Sequence, residues 1–346
     1  MILYYNTQVI SEKFKVNPRE YQFYLNKKHF SRDLFNKYEK FGLNRHNMIY
    51  DRSGSLPHYL EISPLHPLPK KDDSFNFSFF EIAERRAKEL IALNKPINVM
   101  WSGGIDSTFV LFMLQHYATD PDQIRVYGTY NSVIESGDLF DRRIKKEFKH
   151  FIKVATTREL NYLEVDGIFV SGMGGNQLFG PTDNFFATGG HAMFHHTLGT
   201  PKTIYEDYTK CIDPELLEFL DPAIKASPRK LETVADLRWY CIFNLDWYTG
   251  LYEHRTHAEP HIAKTVLGFF DSEEFQQWAI TTTEPFTKIK GNPNTHRWQM
   301  RQVLDELFGE PHYAINKDKK ISNFAICDPQ WVMLTDEFEN LYIRNL

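Results

Sequence analysis

The sequence is poor in cysteine, in long apolar runs and in excess positive charge, and each shortage removes a class of protein. Cys211, Cys241 and Cys327 are the three cysteines in 346 residues, far apart and without a CxxC pair. So odd and sparse a set gives no disulfide framework and no cysteine-built zinc site, and it suits a reducing compartment. No stretch approaches the ~18 consecutive apolar residues of a membrane span, and Met1-Ile2-Leu3-Tyr4-Tyr5-Asn6 carries no basic segment ahead of an apolar one. The expectation is a cytoplasmic protein with no membrane partner. Formal net charge is −5. That lacks the basic excess of a nucleic-acid binder and argues against such a partner, although a local basic groove stays open.

What is present is ordinary for a folded chain except in its aromatics. Apolar residues make up 42% and charged residues 25%, and 28 Phe, 18 Tyr and 6 Trp supply a sizeable core. The length suits roughly two domains at about 150 residues each and leaves homo-oligomerisation open.

Residues 1–75 mix short apolar runs with turns such as Pro64-Leu65-His66-Pro67-Leu68-Pro69. They read as a small β-containing region without evident chemistry, joined onward by the linker Lys70-Lys71-Asp72-Asp73-Ser74. From Phe77 the pattern is helical, with Phe80, Ile82, Ala83, Ala87 and Leu90 at helix spacing until Pro96. Ile97–Trp101 is a buried strand by composition, and Phe109, Val110, Met113 and Tyr117 mark the helix after it. Further strands are expected at Arg125–Tyr130, Phe151–Val154 and Gly167–Val170, with helices running to about Lys149 and over Arg158–Leu163. Strands alternating with helices predict a parallel α/β sheet. Past residue 200 helical runs dominate. The expected division is therefore residues 1–75, a nucleotide-binding domain over 76–200, and a mainly helical lobe over 201–346.

Trp101-Ser102-Gly103-Gly104-Ile105-Asp106-Ser107 stands where a strand gives way to a helix. Two glycines let the backbone turn sharply and aim N–H groups at one point, and the helix adds its positive end. Ser102, Ser107 and Thr108 add hydroxyls for phosphate oxygens, and Asp106 adds a carboxylate that phosphate tolerates with Mg²⁺ between them. No lysine follows the glycines as in GxxxxGK[ST], which argues against ordinary γ-phosphoryl transfer. The plain alternative is a Gly-Gly turn with Asp106 as a helix cap.

The string SGGxDS resembles the shared motif of the PP-loop ATP pyrophosphatases, among them asparagine, β-lactam, GMP and NAD synthetases. The resemblance implies a fold like that of the adenine nucleotide hydrolases, with ATP held by Ser102, Gly103, Gly104, Ile105, Asp106, Ser107 and Thr108. Ser171-Gly172-Met173-Gly174-Gly175-Asn176-Gln177-Leu178-Phe179-Gly180 is similar to the second signature of the asparagine synthetase branch, SGxGxDELFGG. It implies further ATP contacts at Ser171, Gly172, Gly174 and Gly175, with Met173, Asn176 and Gln177 facing the substrate. More loosely, Gly250-Leu251-Tyr252-Glu253-His254-Arg255 resembles the family's GLExRxPF stretch and adds Glu253 and Arg255 to the substrate side. Arg297-Trp298-Gln299-Met300-Arg301 with Leu304 resembles its KxxLR helix, and Asn316–Ser322 its RPKxxFS loop, whose lysine falls at Lys319 or Lys317.

The resemblance covers about residues 77–346, and its departures are informative. The family's glutaminase nucleophile is a cysteine at position 2, where this chain has Ile2. Glutamine hydrolysis is therefore not expected, which leaves ammonia or a substrate amine. Asn176-Gln177 replaces Asp-Glu, so Mg²⁺ would be held by Asp106 with weak help from the Asn176 amide, and Asp183 is a further candidate. The resemblance implies an AMP-forming carbon–nitrogen ligase acting on a small-molecule carboxylate and an amine. Alternatives are an adenylating enzyme that modifies a nucleobase or nucleoside, and a nucleotide-binding protein without turnover. His254, His257 and His261 fall near helix spacing, but Pro260 interrupts them and none is assigned to a metal.

Overall fold

A computed structural model describes residues 3–6, 31–41, 51–57, 67–154, 164–180, 206–247, 266–282, 296–311, 313 and 331–334. In chain order they form β1 (Leu3–Asn6), α1 (Arg32–Lys40), α2 (Phe79–Ile91), β2 (Ile97–Trp101), α3 (Ile105–Tyr117), β3 (Ile124–Gly128) and α4 (Tyr130–Ser136). A π-helical turn at Phe140–Ile144 leads into α5 (Lys145–Glu147), then β4 (Phe151–Lys153), β5 (Ile168–Ser171) and α6 (Gly175–Phe179). The remainder holds α7 (Pro214–Lys225), α8 (Val234–Leu245), β6 (Val266–Gly268), α9 (Glu273–Thr281), α10 (Trp298–Glu306) and β7 (Trp331–Leu334). Among the described residues no helix is long and apolar enough to cross a membrane.

Contacts divide the chain into two compact units, both discontinuous in sequence. One comprises Met1–Leu68, Asp183–Thr249 and Cys327–Leu346, and the other Pro69–Thr182 and Gly250–Ile326. In the first unit β1 and β7 pair antiparallel, Leu3 opposite Leu334. The helix α8 is buried on all sides and starts with a capping box in which Thr233 and Asp236 bond each other's backbone N–H.

The second unit is built on a parallel five-stranded sheet in the order β4-β3-β2-β5-β6. All five residues of β2 are buried, as a central strand covered on both faces requires. Helix α3 is equally enclosed, with Phe109 through Leu114 all buried. Helix α2 opens on a capping box between Ser78 and Glu81. Phe79 on α2 meets Phe109, Phe179, Phe275 and Trp278 with ring centroids 5.0–5.5 Å apart, so one aromatic cluster fastens α2, α3, α6 and α9.

The strands expected at 97–101, 125–130, 151–154 and 167–170 all lie in this sheet. The stretch after residue 200, read as helical, also gives the sheet its edge strand β6. Three residues, Val266-Leu267-Gly268, are too few to show a period of two. The helix expected up to Lys149 is broken where α4 ends at Gly137 with φ 64°.

Candidate functional site

The chain runs from β2 outward through β3 to β4, then returns to lay β5 on the other side of β2. The order reverses between β2 and β5, and in open parallel sheets ligands bind in the crevice outside the carboxyl ends at such a reversal. Met100 stands opposite Ser171, so both strands end at the same edge. The two glycine turns read from the sequence leave from those ends side by side. Gly104 is the N-cap of α3 in extended backbone and brings no side chain to its first-turn N–H groups. That end of the helix is thus electropositive and, among the described residues, open to an anion.

Close packing explains the glycines. Gly103 has φ +74°, and a Cβ there would lie 2.1 Å from the Ser132 carbonyl oxygen of α4. A Cβ on Gly172 would lie 2.8 Å from the Ser107 nitrogen, and one on Gly175 2.6 Å from the Asp106 Cγ. The second turn therefore seats directly on the first, and its missing side chains make room for the Asp106 carboxylate.

The hydroxyls mostly shape the loop from within. Ser107 Oγ accepts from the Ser102 N–H at 3.0 Å and lies 2.9 Å from Ser102 Oγ and 3.3 Å from the Gly104 carbonyl. Trp101 Nε1 donates to Thr108 Oγ1 at 3.0 Å, Thr108 lies 3.0 Å from the Tyr313 hydroxyl, and Tyr313 donates to the Gly103 carbonyl at 2.7 Å. Because Tyr313 commits its one proton to Gly103, Thr108 must donate to Tyr313, and the chain of bonds has a fixed direction. Burial pushes the Tyr313 phenol up, so it stays a donor. Ser107 and Thr108, both expected on phosphate, are buried in this internal network, while Ser102 stays half-exposed. Ile105 is buried, and its place in the turn is its backbone.

On the second turn Ser171 is buried at the strand end, Gly172 and Met173 are half-buried, and Gly174 takes φ +99°. Asn176 is exposed, and Gln177, expected on the substrate side, is buried with Leu178 and Phe179.

Asp106 and Asn176 do come together, and they meet on a guanidinium. Arg297 Nη1 donates to Asp106 Oδ1, and its Nη2 donates to Asn176 Oδ1. The Arg297 and Asp106 side chains are 16% and 21% exposed. Arg297 is a non-glycine residue at φ 59°, and its Nε is buried without an acceptor among the described residues. Its footing is firm: Arg301 Nε donates to the His296 carbonyl at 2.8 Å, and His296 Nε2 donates to the Phe179 carbonyl at 3.3 Å. Burial, helped by the Arg297 charge, lowers the His296 pKa to about 3, so its ring is neutral.

These residues fit ATP and Mg²⁺ unequally. The open helix end and the seated glycine turns suit a polyphosphate. For Mg²⁺ the pair named from sequence offers one carboxylate, already paired with Arg297, and one neutral amide. Among the described residues no three His, Cys, Asp or Glu side chains gather as a metal set. As placed, Asp106 and Asn176 do not fit a Mg²⁺ ion.

Two residues of the site carried no signal of their role. Arg297 was legible as the start of a helix resembling KxxLR, but nothing in the string placed it on Asp106. Tyr313 is one tyrosine among 18, without a motif. Lys317, Lys319, Glu253, Arg255, Asp183 and the histidines at 254, 257 and 261 lie outside the described residues, as does the helix expected over Arg158–Leu163. Comparison with models of known protein families matches none of them, and comparison with curated proteins returns no relative of this chain.

Proposed function

We propose that this chain binds ATP across the paired glycine turns and cleaves it between the α- and β-phosphates to activate a carboxylate. It would thus be an AMP-forming carbon–nitrogen ligase of the PP-loop type, asparagine synthetase branch, with a fold of the adenine nucleotide hydrolase kind. The observation that carries the reading is the placement of both glycine turns at the one reversal of strand order, with Gly172 and Gly175 seated on Asp106 and Ser107. A carboxylate oxygen attacks the α-phosphorus, the α–β anhydride bond breaks, and pyrophosphate leaves. Ammonia or an amine then attacks the acyl carbon, and AMP departs. The α3 N-terminus and the backbone of Ser102–Gly104 stabilise the leaving pyrophosphate by position and fixed dipoles. Lys319, with Lys317 as the other candidate, supplies a cation to the α-phosphate in this reading.

A second reading, nucleotide binding without turnover, is favoured by the amides Asn176 and Gln177, the first tied to Arg297 and the second buried. One assay separates them. Across a panel of carboxylates and amines, chromatography should show AMP and pyrophosphate formed together. Accumulation of ADP sinks the proposal, and intact ATP throughout leaves the second reading.

A further inference from the structure

We infer that the Arg297 guanidinium is this site's resident cation, holding the place a divalent metal would take, so that nucleotide binding here does not require a metal ion. This rests on the nucleotide reading above but draws on different observations. Asp106 Oδ1 and Asn176 Oδ1 come from the two separate glycine turns and converge on the two terminal nitrogens of one arginine. Two oxygens from two loops closing on one positive centre is how a cation site is made, and the centre here is covalently attached. The charges agree with that. Asp106 and Arg297 cancel, and the amide adds none; a divalent ion placed between the same oxygens would face the guanidinium with, among the described residues, one carboxylate to offset both.

An incidental surface ion pair does not account for the geometry. Such pairs contribute little and need no special backbone. Arg297 instead sits in the left-handed region and keeps a buried Nε without an acceptor among the described residues, two costs accepted at one position. The contacts of His296 with Phe179 and Arg301 hold the base of the residue next to the second turn. Each terminal nitrogen carries a second N–H, and a planar fork matches phosphate oxygens better than a point charge does. Arg297 is thus a binding residue for the polyphosphate, oriented by Asp106 and Asn176.

Two measurements on the whole chain test this. Without nucleotide, Mn²⁺ titrated against the protein and followed by electron paramagnetic resonance should remain free in the wild type. The double variant Arg297→Gln with Asn176→Asp should take up Mn²⁺. Wild-type protein that binds Mn²⁺ and loses it in Asp106→Asn overturns the inference, whatever ATP does. Second, ATP affinity by equilibrium dialysis should change less than about threefold when Mg²⁺ is replaced by EDTA, and Arg297→Gln should weaken binding in EDTA at least about tenfold. A wild type that binds ATP with Mg²⁺ but not in EDTA also overturns it. ATP that binds under neither condition sinks the nucleotide reading, while the Mn²⁺ result still decides which cation the site holds.

Discussion

Asp51, Arg52 and Asn244 in the first unit and Asp106, Arg297 and Asn176 in the second are the same three residue types in opposite circumstances. The Asp51 carboxylate accepts from the N–H groups of Ser53, Ser55 and Leu56 at 3.0, 2.7 and 2.6 Å, from Ser53 Oγ at 2.6 Å and from Asn244 Nδ2 at 2.7 Å. Arg52 is 1% exposed, donates to the carbonyls of Phe243 and Pro67, and lies over the rings of Phe243 and Trp247. Backbone closes that set of charges, and it serves as a structural knot. In the second unit the set lies at the open edge of a sheet, Asn176 is exposed, and the arginine bonds side chains rather than backbone. Residue type does not distinguish knot from site. The difference is whether backbone groups use up the hydrogen-bonding capacity.

The harshest way to break the comparison is to fill the space on which the site depends. Gly103→Ala would force a Cβ to within 2.1 Å of the Ser132 oxygen at a backbone angle that disfavours it. We expect a stability loss of about 3 kcal/mol and ATP affinity below detection, measured by urea unfolding and equilibrium dialysis. Normal affinity in this variant would mean that the first turn does not need its seat against α4.

A milder and more discriminating pair follows. Asp51→Ala strands several buried donors and should cost about 2–4 kcal/mol with ATP affinity unchanged. Asp106→Ala leaves the largely buried Arg297 guanidinium short of its carboxylate and should cost about 1–3 kcal/mol, yet unlike Asp51→Ala it should lower turnover at least about a hundredfold. Equal signatures in the two variants, read by urea unfolding and steady-state rates, would erase the distinction between knot and site.

Much of the second unit was legible because local signals and burial agree there. Ile97–Trp101 is apolar at every position but Asn98 and is buried throughout, and Pro96 and Gly103 bound it. The glycine turns were legible for their letters, but their seating of Gly175 on Asp106 is a contact between residues 69 positions apart that no local pattern encodes. Arg297 escaped for the same reason, at a sequence distance of 191 from Asp106. Asp51 and Arg52 sit in a region read as without evident chemistry, and no local pattern announces the bonds to backbone that make them serve the fold. The strand β6 escaped because three residues carry no period.

The smallest effect tests whether the open site stands on a closed base. His296 is buried between Phe179 and Arg301 and is neutral in the folded chain, with its pKa lowered from 6.5 to about 3. Unfolded, the same ring takes a proton near its ordinary value of about 6.5. Between those two values the unfolded chain binds more protons than the folded one, so this group makes stability fall as pH falls. Above pH about 6.5 the ring is neutral in both states and the effect vanishes. From pH 7 to pH 5.5 the linkage amounts to about 1 kcal/mol. His296→Gln keeps a neutral donor toward the Phe179 carbonyl but cannot titrate, so its stability should fall less over that interval. The comparison is between slopes of the two proteins, in which the other histidines and the carboxylates cancel. Parallel slopes, or a His296 ring proton resonance that titrates above pH 5 in the folded protein, would mean the base beneath Arg297 is open to water. The contrast with the Asp51 knot would then hold for the whole site and not for its mouth alone.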